Sequence, residues 1–185
     1  MKRALILHGT DSDPTASWFP WLEDKLKDEG YNVWVPLLPG NHTPNREVYN
    51  DYLLSQDWDF VDNIVIGHSA GAVSVLNLLM DERCPKVKLA VMVSAWKGGQ
   101  PNGHFEPDQF DHLFSEKGFD FARIKANADK FAFIHSDDDP FCPLEQAADL
   151  ASELDASLLI MHDAKHIGGK TTELPEVWQI IKSSL

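Results

Sequence analysis

Short apolar runs alternate with amphipathic stretches from one end of the chain to the other. The apolar runs predict strands near residues 3–7 (RALIL), 31–36 (YNVWVP), 62–66 (DNIVI), 87–93 (VKLAVMV), 130–135 (KFAFIH) and 157–161 (SLLIM). Helical spacing falls near 17–29, 46–56, 70–81, 144–154 and 175–184. The last of these opens on Pro175, at a first-turn position where the missing N–H costs nothing. Strands alternating with helices are what βα units around a parallel sheet produce. Residues 97–129 are the least periodic part, and Gly98, Gly99, Pro101, Gly103 and Pro107 make their first half a loop. Phe105, Phe110, Phe114, Phe119 and Phe121 either line a cavity there or anchor the loop to the core, and anchoring is the expected role. No internal repeat, low-complexity tract or linker interrupts the pattern.

Between the third strand and the third helix stands Gly67-His68-Ser69-Ala70-Gly71. A serine on a sharp strand-to-helix turn has a strained backbone and close chain neighbours, so it needs small flanking residues, which Gly67 and Gly71 supply. The turn places the hydroxyl where free helix N–H groups and the helix dipole can hold a developing oxyanion. This is the sequence form of a nucleophile elbow, with Ser69 as the candidate nucleophile.

With 185 residues and 43% apolar content, the chain suits one buried core and is short for two, so residues 1–185 are expected to form a single domain. Sixteen basic residues against 29 acidic ones give a net charge of −13, which opposes binding to nucleic acid or anionic membranes. No stretch of about 18 uninterrupted apolar residues occurs, and a polar turn ends the first apolar run too early for a signal peptide. Cys84 and Cys142 have no CxxC spacing, so a disulfide scaffold or zinc ribbon has no support. A reducing cytoplasm fits this composition best.

A serine near neutral pH is a poor nucleophile unless an imidazole takes its proton and a carboxylate orients that imidazole. In the fold that uses this elbow the chain order is Ser, acid, His. Ser136-Asp137-Asp138-Asp139-Pro140-Phe141-Cys142-Pro143 follows the fifth strand, and His162-Asp163-Ala164-Lys165-His166-Ile167-Gly168-Gly169 follows the sixth. Both lie at the carboxyl edge, where open α/β sheets bind ligands. His162 follows its strand at once and is expected to be held by the sheet, whereas His166 sits in a loop free to arch over Ser69, so His166 is the candidate base. Distance from the strand end leaves Asp138 and Asp139 as rival acids. His135 and His68 read as packing or hydrogen-bonding residues. The His8-Gly9 turn ends the first strand and can aim a backbone N–H at an oxyanion, so the candidate oxyanion hole is the amides of Thr10 and Ala70.

The chain resembles the small α/β-hydrolase family of the retinoblastoma-binding serine hydrolase and its bacterial relatives over nearly its whole length. The markers are the His8-Gly9 turn followed by Trp18 and Trp21, the elbow Gly67 to Ala72, Val93-Ser94-Ala95-Trp96, Arg123-Ile124-Lys125-Ala126-Asn127, and Ser136 to Pro143 with its Asp-Asp-Pro core. The resemblance implies that the acid is Asp139, directly before Pro140, that His166 is the base, and that the sheet is open without a large lid. The retinoblastoma-type partner is not implied, because neither Cys84 nor Cys142 stands in a Leu-x-Cys-x-Glu context.

Three other patterns carry less. Gly168-Gly169-Lys170-Thr171 is like the end of a phosphate-binding loop, but the position of its first glycine is Ala164 and the next helix opens only near Pro175. His162 and His166 have the spacing of helical metal ligands yet lie at a strand end and in a loop, with no third ligand evident, so no metal is expected. Cys142 lacks an elbow and reads as a structural thiol. The expectation is a compact, doubly wound α/β hydrolase with six mostly parallel strands in spatial order 2-1-3-4-5-6, the two usual leading strands missing. It needs no cofactor and cleaves a small acyl ester or amide, with Trp96 and the aromatics of residues 105–121 as candidates for the apolar pocket. The alternative is a protein-binding module on the same scaffold with little turnover.

Overall fold

A computed structural model describes residues 1–103 and 105–184; His104, inside the predicted loop of residues 97–129, and the C-terminal Leu185 lie outside the described residues. The elements in chain order are β1 (Arg3–Leu7), α1 (Phe19–Asp28), β2 (Asn32–Trp34), α2 (Arg46–Leu54), β3 (Ile64–His68), α3 (Ala70–Met80), β4 (Val87–Val93), α4 (Phe121–Ala126), β5 (Ala128–Ser136), α5 (Leu144–Glu153), β6 (Ser157–Met161) and α6 (Pro175–Ser184). The six strands form one sheet in the order β2-β1-β3-β4-β5-β6, with every neighbouring pair parallel.

The period of two along the strands divides the core in two. Leu5, Leu7, Val65, Ala90, Met92 and Phe133 face α2, α3, α4 and α5 through Leu53, Leu76, Ile124 and Leu150. Ala4, Ile6, Ile64, Ile66, Val91 and Ile134 face α1 and α6 through Leu22, Leu26, Val177 and Ile181. A sheet covered on both faces explains why its central strands read as continuous apolar runs. Helix α3 is buried from Ala70 to Leu79, so the element that follows the elbow lies inside the molecule.

The chain winds outward from β1 to β2 and then returns to the other side of β1 at β3, so the winding direction reverses between β1 and β3. That reversal opens a crevice at the carboxyl ends of the two strands. The register pairs Leu7 with Gly67, which brings His8-Gly9 beside His68-Ser69.

Several boundaries differ from the sequence expectation for local reasons. β3 starts two residues late because Asp62 is left-handed (φ 56°) and the Asn63 amide binds back to the Asp59 and Val61 carbonyls, and it then runs on into the elbow. β2 keeps three residues because it lies at the sheet edge and pairs with β1 alone. β5 extends to nine residues between two neighbours. The segment 97–129 holds a helix that periodicity does not reveal: α4 is capped by the Asp120 carboxylate on the Arg123 amide (3.0 Å) and buries only Ile124. Among the described residues no helix is long and apolar enough to cross a membrane.

Candidate active site

Strand β3 delivers the chain to Ser69, and α3 starts one residue later. Ser69 has φ 56° and ψ −124°, a conformation that L residues rarely adopt and that persists only when the surroundings dictate it. Its N–H donates to the Val93 carbonyl (2.9 Å). A Cβ on Gly67 would lie 2.6 Å from Ala72 Cα, and one on Gly71 would lie 2.7 Å from the Leu7 carbonyl carbon, so backbone occupies the space that any side chain there would need.

The turn aims Ser69 Oγ at His166 Nε2, 2.9 Å away. His166 Nδ1 lies 2.8 Å from Asp139 Oδ2 on the far side of the ring. This arrangement requires the tautomer in which Nδ1–H donates to the carboxylate and Nε2 accepts from the serine hydroxyl. The Asp139 side chain is 1% exposed and that of His166 is 19% exposed, so the pair is shielded while the ring edge reaches the cleft. The other Asp139 oxygen accepts from the amides of Phe141 (2.9 Å) and Cys142 (3.0 Å), which fixes the carboxylate from behind. Burial pushes the Asp139 carboxyl up, but the hydrogen bond and charge of His166 and the two amides outweigh it, and the group stays below its ordinary range.

The loop after β1 passes directly over the serine. A Cβ on Gly9 would lie 3.0 Å from Ser69 Cβ and 3.5 Å from Oγ. The buried His8 ring donates from Nδ1 to the Gly9 carbonyl (2.8 Å) and accepts at Nε2 from the Leu38 amide (3.0 Å). In a planar trans peptide the carbonyl and the next N–H point in opposite directions. With the Gly9 carbonyl on the His8 ring, the Thr10 N–H therefore points away from that ring. The Ala70 N–H opens α3, where the first amides have no acceptor within the helix.

These groups line a cleft of about 620 Å³. Its apolar wall comes from Trp96, Pro101, Phe105, Phe110 and Phe141, and the loop after β1 adds Asp11, Ser12 and Asp13 to the lining. Phe141 stands edge-on to the His166 ring, 5.0 Å between centroids. The five phenylalanines of the irregular segment thus divide: Phe105 and Phe110 line the cleft, while Phe114 backs Trp96 and Phe119 and Phe121 pack towards the core.

The remaining candidates separate cleanly. His162 is not held by the sheet as its sequence position suggested: β6 ends at Met161, and the His162 side chain, 83% exposed, pairs with Asp137 (2.5 Å) because the chain turns outward there. His135 is buried and donates to the Cys142 carbonyl (2.8 Å), and His68 donates to the His166 carbonyl (2.8 Å). Burial, with the nearby His166 charge, lowers His68 to about 3, so its ring is neutral. The Cys142 thiol is pushed up by burial and by the Asp139 charge, which keeps it protonated. Its sulfur, an Asp139 oxygen and a His166 nitrogen lie within 4.8 Å of one another, but the oxygen and nitrogen ligands are already committed to each other. Gly168 to Thr171 closes on itself through the Thr171 amide (3.1 Å), well before α6. Sequence reasoning missed Ser136, Asp138, Ser94 and Trp18 as anchors of the His166 loop; all four lie in stretches that mark the family resemblance, but no motif assigns them a bond.

The profile of the serine hydrolase family matches residues 4–183. The Bacillus subtilis protein YdeN is 27% identical over 98% of this chain and 95% of its own length. Its crystal structure superposes with a TM-score of 0.87 at 26% identity, covering 100% of this chain and 98% of that one. The serine hydrolase RBBP9 of Rattus norvegicus is 25% identical over 99% of this chain and 95% of its own length. The esterase domain of a Rhodothermus marinus protein shares the fold at a TM-score of 0.70 and 17% identity, covering 98% of this chain and 85% of that one.

Proposed function

Because this chain belongs to the serine hydrolase family, we propose that it cleaves a small ester or amide through an acyl-enzyme on Ser69. The observation that carries the reading is the unbroken line Ser69 Oγ, His166 Nε2, His166 Nδ1, Asp139 Oδ2, with steps of 2.9 and 2.8 Å. His166 takes the hydroxyl proton as Ser69 Oγ attacks the carbonyl carbon, and Asp139 holds the ring in the required tautomer and stabilises its charged form. The Thr10 and Ala70 amides receive the oxyanion, a contribution of about 2.7 to 4 kcal/mol per donor in comparable sites. His166 then gives its proton to the leaving alcohol or amine, and a water deprotonated by the same ring releases the acid.

The apolar wall of Trp96, Phe105, Phe110 and Phe141 suits an uncharged acyl group, and a net charge of −13 disfavours anionic substrates. A fluorophosphonate probe tests the chemistry. The expected result is one covalent adduct on Ser69, lost in Ser69→Ala, together with turnover of a short p-nitrophenyl ester by the wild type only. Well-folded wild-type protein that neither labels nor turns over would sink the reading.

A further inference from the structure

The loop that carries His166 is strained. Asp163, Lys165 and Ile167 all have left-handed backbones (φ 54°, 56° and 50°), none is glycine, and Ile167 is β-branched, the kind of residue least suited to that region. Such a loop keeps its shape only if something outside it holds each peptide in place.

Two groups of residues grip it from opposite sides. On one side the end of β5 and the turn after it offer acceptors to successive amides: Asp137 Oδ1 to Asp163 N–H (3.2 Å), Ser136 Oγ to Ala164 N–H (3.0 Å) and Asp138 Oδ1 to Lys165 N–H (2.8 Å). Ser136 also donates its hydroxyl hydrogen to Asp138 Oδ1 (2.7 Å), and the Lys165 ammonium pairs with Asp138 Oδ2. On the other side three donors seize the carbonyls that follow. His68 Nε2–H (2.8 Å) and Ser94 Oγ–H (3.1 Å) both bind the His166 carbonyl, and Trp18 Nε1–H binds that of Ile167 (2.9 Å). His68 lies immediately before Ser69, so one residue of the elbow reaches across to the backbone of the base.

We propose that Asp138 and His68 are positioning residues: from opposite sides they lock the Lys165 amide and the His166 carbonyl, so that the imidazole between them stands on the line from Ser69 to Asp139. The proposal rests on the hydrolase reading above. It gives the second of the adjacent aspartates a function distinct from that of the acid. Because the bonds fall on the backbone either side of His166, losing one lets the ring tilt while the apolar wall of Trp96, Phe105 and Phe110, carried by other segments, stays in place. A displacement of 1 Å in such a group is enough to slow chemistry about 100-fold.

The experiment compares variants that delete each bond with variants that keep it. Asp138→Ala removes the acceptor, whereas Asp138→Asn retains an oxygen at the same reach. His68→Phe keeps a ring in the packed site but removes the donor, whereas His68→Gln keeps a donor. The expected result is a 10- to 100-fold fall in kcat and in the fluorophosphonate labelling rate for Asp138→Ala and His68→Phe, with KM within about twofold of wild type. Asp138→Asn and His68→Gln recover most of the rate. Unchanged kcat in the deletion variants, or a loss that the bond-keeping variants do not recover, overturns the proposal while a labelled wild type leaves the hydrolase reading standing. A wild type that does not label takes both down. If His68→Phe does not fold, Asp138→Ala, whose side chain borders solvent, decides the matter alone.

Discussion

Asp138 and Asp139 differ by one position in the turn after β5, and that step decides what each carboxylate meets. Asp139 faces inward to His166 and to two amides of its own turn, while Asp138 faces the Lys165 amide and ammonium and is held down at about 2 by them and by Ser136. Replacing Asp139 with Asn leaves the shape but offers His166 Nδ1 an uncharged group that can present N–H, which favours the wrong tautomer. Asp139→Asn is therefore expected to lower kcat roughly 10³- to 10⁴-fold, against a few-fold at most for Asp138→Asn, measured as steady-state ester hydrolysis. A larger loss in Asp138→Asn would reassign the acid. The order of the candidate residues Ser69, Asp139 and His166 was legible in the chain, because the fold delivers each from the end of a later strand, β3, β5 and β6. The choice between neighbouring aspartates was not legible from spacing and came only with the family resemblance. It depends on which carboxylate the Phe141 and Cys142 amides capture, a property of the folded turn.

Among the elements, those with an unbroken apolar run or a clear apolar stripe could be read closely: β1, β4 and β6 coincide with their apolar runs, and α6 with its predicted span. Helix α4 escaped because six residues make fewer than two turns and bury a single isoleucine, too little for a period to show. Its signal was in the caps, Asp120 before it and Asn127 after it. The elbow's two glycines could be recognised as small, but the reason Gly71 must lack a side chain lies in another element: β1 passes over the start of α3. This makes a sharp contrast with Gly30, which ends α1 at φ 81° with nothing within 4 Å of its missing Cβ. Gly30→Ala is expected to cost about 1 kcal/mol, the strain of a left-handed alanine. Gly71→Ala drives a methyl into the Leu7 and His8 backbone and is expected to cost about 3 kcal/mol or to prevent soluble expression. Urea unfolding of the two variants gives the comparison directly, and equal losses would mean that β1 can shift to make room.

Across the whole molecule, the same packing that shields the site ties stability to pH. His8, His68 and His135 are all buried, and burial lowers all three, His68 to about 3. In the unfolded chain each returns to about 6.5. As pH falls below that value the unfolded chain takes up protons that the folded one refuses, so stability rises with pH across this window and falls on acidification. For His68 this costs about 1.4 kcal/mol per pH unit below 6.5, or roughly 2 kcal/mol at pH 5, and His8 and His135 act in the same direction. His42 and His162 act in the opposite sense, because Asp11 and Asp137 raise them and so strengthen their pairs at low pH. Both are exposed and screened by solvent, so the buried three dominate. Asp139, held low, adds stability that is lost only as pH drops through its depressed value, below the histidine window. The urea midpoint measured at constant salt is therefore expected to fall steadily from pH 7.5 to pH 5, with a shallower slope in His68→Gln, which no longer titrates but keeps its bond to the His166 loop. A midpoint that stays level over that range would mean that the buried rings gain protons without unfolding, and that His68 does not hold His166 through a neutral imidazole.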